Sequence, residues 1–426
     1  MDQEAATASG PWWRGRTKNQ WRSFFAAFMG WALDVMDLML FSMLITYVIA
    51  EFNSDRTVAG TIASFTLLAS AAGGFIFGLI ADRIGRTRSM VLSILCYSLG
   101  TVLCGLSTSM GMLLVFRIVV GLGVGGEWGA GAALVTETWP ARVRGRVMAF
   151  VQSAFAVGYI LAALIAAVFV PTLGWRWAFF FGVVPAALAW WIRRRTDEPQ
   201  VWKDVKVRLT TGQALKALFA NHARYFWVGF AFTGAAMLGY WGLFTWIPNY
   251  LGTPVEEGGR GMDLLGSTMW IVIIQLGAWL GFVSFGFVAD WVGRRWAFII
   301  YFLVATVCVP VFIALEAPAA VLVFGVVMGL FGTGFYSGFG PTFAEMFPTE
   351  IRAFAQSLIY NGARALSAVS PFVIGVASKT FGVGGALTIT AGFYFLAAVI
   401  VFFFLPETRG TDLSEVGHRE VSSADD

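Results

Sequence analysis

The chain is poor in the residues from which soluble enzymes build their sites. It has two histidines, three cysteines and only 13% charged residues in 426, against roughly 25% charged in an ordinary soluble protein. His222 and His418 stand in polar segments far from any cysteine, and Cys96, Cys104 and Cys308 sit singly inside apolar runs. Neither a zinc site nor a disulfide framework can be argued from such spacing. HExxH and GxxxxGK[ST] are both missing, so metal-assisted hydrolysis and a nucleotide-driven engine are not indicated. The net charge of +4 is too small to imply a nucleic-acid partner. No enzyme and no cofactor are expected, and no metal.

What the chain has is apolar and aromatic: 58% hydrophobic residues, 40 Phe, 18 Trp and 49 Gly, with a mean hydropathy of +0.73. A hydrocarbon core of roughly 30 Å takes about 20 apolar residues at ~1.5 Å each. Twelve such runs occur, near 22–49, 58–81, 89–107, 110–137, 147–170, 177–192, 224–250, 264–289, 297–316, 319–345, 354–378 and 385–405, the sixth being the shortest. The first is too long for a signal peptide and reads as a retained span. Trp12, Trp13, Trp21, Trp190 and Trp191 stand near span ends, as interfacial anchors do. If both termini are cytoplasmic, 23 of the 29 Lys and Arg fall on the inner side, which fixes that orientation.

Two unrelated motifs recur at one spacing. Gly78-Leu-Ile-Ala-Asp82-Arg83-Ile-Gly85-Arg86 returns as Gly286-Phe-Val-Ala-Asp290-Trp-Val-Gly293-Arg294, and Glu137-Thr-Trp-Pro140-Ala-Arg-Val-Arg144 as Glu345-Met-Phe-Pro348-Thr-Glu-Ile-Arg352, both offset by 208. A six-span unit has therefore been duplicated, and an even span count makes the copies parallel. The expected division is a bundle over 1–192, a cytoplasmic linker over 193–223, a second bundle over 224–405 and a tail over 406–426.

The Gly-xxx-Asp-Arg-x-Gly-Arg loop, its echo and the twelve spans resemble the major facilitator superfamily over nearly the whole chain. Further residues, Gly30-Trp31-Ala-Leu-Asp34-Val-Met-Asp37, Arg117-xxx-Gly121-Leu-Gly123-Val-Gly125-Gly126-Glu127-Trp128, Gly174-Trp175-Arg176 and Glu198-Pro199-Gln-Val-Trp202, are similar to the proton-coupled organic-acid symporters, closest to the sialate and lactate branch. The resemblance implies an all-α membrane protein of 12 transmembrane helices in two pseudo-symmetric six-helix bundles. It also implies symport of a small organic anion with protons by alternating access. Sialate carriers of that branch hold extra membrane segments between the halves. The linker here is too short and too charged for them, which favours a small monocarboxylate such as lactate or pyruvate; an aromatic acid, sialate or export are the alternatives. Drug exporters of the superfamily carry a glycine-proline signature in span 5, and 152–166 has Gly158 without proline. A monomer in the bacterial inner membrane, with lipid as its surroundings, completes the expectation. A membrane sensor or enzyme has nothing to support it.

Ionisable groups within a span cost about 2.5–3.5 kcal/mol each at its centre, so each one is a functional candidate. Asp34 and Asp37 share a face of span 1, ~18 and ~22 Å up from Arg22, and Arg117 of span 4 lies at the level of Asp37. An Asp37–Arg117 pair, with Asp34 and Glu127 beside it, is the expected proton-coupling site. Arg364 in span 11, with Asn361 one turn below, is the expected partner of a substrate carboxylate, because a guanidinium binds both oxygens. Gln152, Tyr240, Trp241, Gln275 and Tyr336 stand at middle depth as lining residues. On the inner side, Gly78 is expected to admit a neighbouring helix, and Asp82, Arg83, Arg86, Asp290 and Arg294 to form a gate. In that gate Arg144 reaches Glu345, or Arg352 reaches Glu137, across the halves.

Overall fold

A computed structural model describes residues 15–196, 198 and 211–409. Spans 1 to 5 are single helices, Lys18–Glu51, Arg56–Ile84, Arg86–Gly105, Met110–Thr138 and Ala141–Leu173. Span 6, the shortest apolar run, is broken into Trp175–Phe180 and Val183–Arg195. A helix at Thr211–Asn221 precedes span 7, Ala223–Gly252. Span 8 is Leu264–Val292, span 9 Arg294–Ala314, and span 10 Pro318–Gly334 continued by Tyr336–Met346. Span 11 runs through Thr349–Ser367 and on past Val369 until Gly382, whose φ of +68° breaks the helix. Span 12 is Ile389–Phe404, extended at its start by 383–387. Eleven helices are long and apolar enough to cross a bilayer, and Ile389–Phe404 is the shorter twelfth. The fold is thus the expected one, an all-helical membrane protein of two six-helix bundles. Trp12 and Trp13, most of the linker and the tail beyond 409 lie outside the described residues.

The 208-residue repeat is visible atom by atom. Asp55 caps span 2 by accepting from Val58 N at 3.0 Å, and Asp263, 208 further on, caps span 8 by accepting from Gly266 N at 2.8 Å. These side chains satisfy N–H groups that the first turn leaves without partners. A Cβ on Gly73 would collide with Leu122 O, and one on Gly281 with Leu330 O, the same helix crossing in each bundle. Spans 2 and 4, like spans 8 and 10, approach so closely because only glycine leaves room. Gly121 and Gly125 extend the contact to Thr66 O and Ser70 O. Gly78 does otherwise. A Cβ there would meet nothing within 4 Å among the described residues, so the expected close approach occurs higher in the span, at Gly73, and motif spacing alone could not say which glycine faces the neighbour.

Between the bundles, span 2 packs on span 11 and span 5 on span 8, which the repeat maps onto each other. Both chain ends of the helical body lie on one face, here the terminal face; the other is the distal face. On the distal face two ion pairs join the bundles, Asp55–Lys379 at 2.8 Å and Arg56–Glu257 at 2.6 Å. Asn249 Nδ2 donates to Thr46 Oγ1 at 2.9 Å and Tyr159 Oη to Phe244 O at 2.6 Å, again between bundles. These contacts shut the face, and the charges line a shallow cleft of about 260 Å³ on its surface.

Candidate functional site: buried charges between the bundles

Asp34, Asp37, Arg117, Glu127 and Arg364 are all 2% exposed or less. The helices carrying them converge at middle depth, as the rise per residue predicts. Span 4 brings Glu127 onto span 1: a Cβ on Gly30 would overlap its Oε1, and Asp34 follows Gly30 by one turn on the same face. Neither carboxyl group makes a hydrogen bond with a described residue. Asp34 is within electrostatic reach of Glu127, Asp37 and, across the bundle interface, Arg364.

The expected Asp37–Arg117 pair takes a different form. Arg117 donates through Nη1 to the main-chain oxygen of Asp37 at 3.1 Å and through Nη2 to that of Leu38 at 3.4 Å, with Phe41 5.1 Å from its charge. The Asp37 carboxylate instead accepts from Thr101 Oγ1 at 3.0 Å, leaving Oδ1 without a partner among the described residues. The two charges are neighbours without forming the carboxylate–guanidinium fork. Sequence placed both at one depth, but depth does not fix rotation about the helix axis, and main-chain carbonyls are acceptors on every face.

Across the interface, Arg364 lies 5.2 Å from the centroid of Tyr360, and Tyr360 stacks on Trp128 of the other bundle at 4.3 Å and 11°. Gln152 accepts from Trp128 Nε1 at 3.0 Å, so it sets the indole. Ala368 N shares the carbonyls of Arg364 and Ala365, both at 3.2 Å. This tightened turn beside the arginine departs from regular α-helix. Among the described residues Arg364 pairs with no carboxylate, and its Nε has no partner. Tyr240, Tyr336 and Phe155 form an aromatic wall, Tyr240 being 5.2 Å from Tyr336 and 5.5 Å from Phe155. The Tyr240 and Tyr336 hydroxyls, Trp241 Nε1 and Gln275 Oε1 are buried without hydrogen-bond partners among the described residues. Buried polar groups are normally satisfied, so a cluster of unsatisfied ones between two bundles offers donors and acceptors that a ligand could use. Asn361 belongs elsewhere: it donates to Ser357 O at 3.1 Å and its Oδ1 abuts Gly74 of span 2.

On the terminal face the motif ion pairs among the described residues lie within one bundle each. Arg86 bonds Glu137 at 3.3 Å and Arg294 bonds Glu345 at 3.1 Å, equivalent pairs under the repeat, while Asp290 is held by Arg294 and Arg83 is exposed. Arg352 donates to Phe347 O at 3.1 Å. The side chains of Asp82 and Arg144 lie outside the described ones. Each motif loop also carries an acid that sequence reading did not place. Glu198 accepts from Thr87 N and Arg88 N at 3.1 and 3.2 Å, and Glu407 from Arg294 N and Arg295 N at 2.8 and 3.2 Å. Gly85 (φ +109°) and Gly293 (φ +99°) make room, since a Cβ at either would overlap the carboxylate.

Twelve helices in two copies of one bundle, enclosing buried charges and a shut face, define a membrane transporter and not an enzyme. The sequence profile of the Major Facilitator Superfamily matches residues 23–284 and 258–423, and the chain belongs to that family. It is 32% identical over 91% of its length to the cis,cis-muconate transport protein of Acinetobacter baylyi, covering 94% of that protein. It is 29% identical over 93% of its length to a sialic acid transporter of Escherichia coli strain K12, covering 96% of that chain. Among solved structures, a D-xylose-proton symporter superposes with a TM-score of 0.75 over 92% of this chain and 99% of its own, at 20% identity, a likeness of fold.

Proposed function

We propose that this protein imports a small organic anion with protons by alternating access, its terminal face being cytoplasmic in a bacterial inner membrane. The observation that carries the reading is Arg364, a buried guanidinium with no described carboxylate for a partner, held beside an aromatic wall between the bundles. At about 3 kcal/mol each, five charges in the membrane cost as much as the whole net stability of a typical domain, and a cycle of proton and anion binding gives them work. The carboxyl groups lie in one bundle and Arg364 in the other, so protonation in one and anion binding in the other both act on the interface. Positive charge on the terminal-side loops supports the orientation.

Lactate and pyruvate, favoured by linker length, leave most of the aromatic wall untouched. The parallel Trp128–Tyr360 stack and the rings of Tyr240 and Tyr336 instead favour a flat, conjugated carboxylate such as benzoate or a muconate, whose π-face gains from such walls. The muconate carrier among the relatives supports the same choice. Uptake of labelled benzoate, cis,cis-muconate, lactate, pyruvate and sialate into proteoliposomes, with and without an inward proton gradient, tests both parts. Gradient-driven accumulation of a conjugated acid is expected. Accumulation of lactate alone would overturn the substrate class, and no stimulation of any acid by the gradient would overturn proton coupling.

A further inference from the structure

The 208-residue repeat sets Trp128 against Tyr336 and Gln152 against Tyr360. These four stand at one level on spans 4, 10, 5 and 11, each ~15–17 Å from the terminal end of its helix. There the two bundles meet. Tyr360 lies face to face with Trp128, the centroids 4.3 Å apart at 11°, and the indole is held within its own bundle by Gln152 at 3.0 Å and by the Trp31 ring at 6.4 Å. Tyr336 crosses in the opposite sense to Phe155, 6.4 Å away at 20°. Asn361, the residue after Tyr360, lays its Oδ1 in the space that Gly74 of span 2 leaves beside the stack's level. Arg364 stands one turn above Tyr360 on the distal side, its charge 5.2 Å from that ring. On the distal face the bundles are tied by ion pairs and hydrogen bonds; at this lower level rings close them.

We propose that Trp128 and Tyr360 form a selective gate between Arg364 and the terminal face, parting for an acid whose own flat face replaces the ring that each of them loses. The proposal rests on the conjugated-acid reading above. An acid paired with Arg364 has the stack on its terminal side, and two rings in face contact leave no passage between spans 4 and 11. Opening uncovers one face of an indole and one of a phenol together. A conjugated acid passing between them restores π contact to both. A saturated acid of the same charge and size restores neither, so the same opening costs it more. Because Gln152 and Trp31 hold the indole, Tyr360 is the leaf that moves, and it shares its helix with the guanidinium that carries the acid.

Benzoate and cyclohexanecarboxylate each carry one carboxylate on a ring of the same size and differ in conjugation. Their maximal uptake rates are compared at saturating concentration in proteoliposomes with an inward proton gradient. The wild-type protein should move benzoate at least ~5-fold faster. Tyr360→Leu removes one leaf: cyclohexanecarboxylate should then move at least ~3-fold faster than in the wild type, and the preference should shrink to within ~2-fold. Trp128→Leu should do the same from the other bundle, while Tyr360→Phe, which keeps the ring, should keep the preference. A gain for the saturated acid cannot come from a damaged fold. The gate is overturned if the wild type moves both acids at one rate, or if the leucine variants keep its preference or lose both acids. It is also overturned if the preference falls only because benzoate slows, which would make the rings a wall of the binding site and no gate. A wild-type protein that accumulates lactate but neither ring acid nor muconate would instead remove the substrate class on which the selectivity is defined.

Discussion

Arg117 holds Asp37 by its main chain and not by its carboxylate: the guanidinium lies 3.1 Å from the Asp37 carbonyl oxygen while Thr101 bonds the acid at 3.0 Å. The arginine is thus anchored whether or not Asp37 is charged, and the carboxyl group can change its proton without losing a partner that fixes the helix. Protonation alters the field at the site and leaves the span 1–span 4 contact in place.

Asp37→Asn imitates the protonated form permanently. Accumulation against a gradient should disappear, and exchange should persist within ~3-fold, because the carrier still shuttles loaded. Counterflow and net uptake measured side by side check this. Should Glu127→Gln abolish accumulation and Asp37→Asn spare it, the loading site lies on span 4.

Arg364→Lys keeps the positive charge but loses the planar fork and the contact with Tyr360. The half-saturation concentration should rise at least ~10-fold, about 1.4 kcal/mol of binding, with thermal stability little changed. Binding of the transported acid by calorimetry on the purified protein decides it, and wild-type affinity in the variant would count against the arginine as the anion's partner.

The Lys379 ammonium, with the Val58 main-chain N–H behind it, holds the Asp55 carboxyl below the ordinary carboxylate range. The sign follows from that depression. The pair's contribution to distal closure is complete above the unpaired value of about 3.9 and is lost as pH falls through the lowered one. Between pH 5 and 8 the closed population should therefore not vary on this account, and acid below about pH 4 should shift it toward opening by the small amount a half-exposed pair contributes. Spin labels at Val58 and Glu256, read by electron–electron distance measurement, should show a longer separation in acid, and Asp55→Asn should show that shift already at neutral pH.

Gly293→Ala places a side chain at φ +99° and into the Glu407 carboxylate. Strain at such a backbone conformation costs on the order of 1–3 kcal/mol, and displacing the acid uncaps span 9. A clear fall in melting temperature is expected, matched by Gly85→Ala in the other bundle and absent for Gly286→Ala, whose Cβ would meet nothing within 4 Å. Differential scanning fluorimetry of the three variants in detergent separates them.

Much of the molecule could be read from its sequence because a bilayer punishes error: apolar runs of fixed length and charges stranded inside them stand out against the background. The 208-residue offset announced a duplication, and the structure carries it into equivalent crossings at Gly73 and Gly281 and equivalent caps at Asp55 and Asp263 that no motif had marked. Rotation and partner choice were not legible. Thr101 is one hydroxyl among many, Tyr360 and Trp128 meet from separate bundles, and Glu407 lies more than a hundred residues from the glycine it faces. Gly78 shows the converse, a motif residue whose role depends on which way a helix is turned. The terminal-face acids found arginines of their own bundle because Arg86 and Arg294 begin the very helices that pack beside them.

The distal closure has an electrical consequence. Each bundle contributes one positive and one negative group, Asp55 and Arg56 from the first, Glu257 and Lys379 from the second. Parting the bundles there separates two neutral dipoles and carries no net charge along the membrane normal. A single charge moved across the full membrane gains ~2.3 kcal/mol per 100 mV, yet this step gains almost nothing. Voltage should leave the opening of the mouth alone and act only on the ions that travel through it, so that any current the carrier passes counts protons less anions, turn by turn.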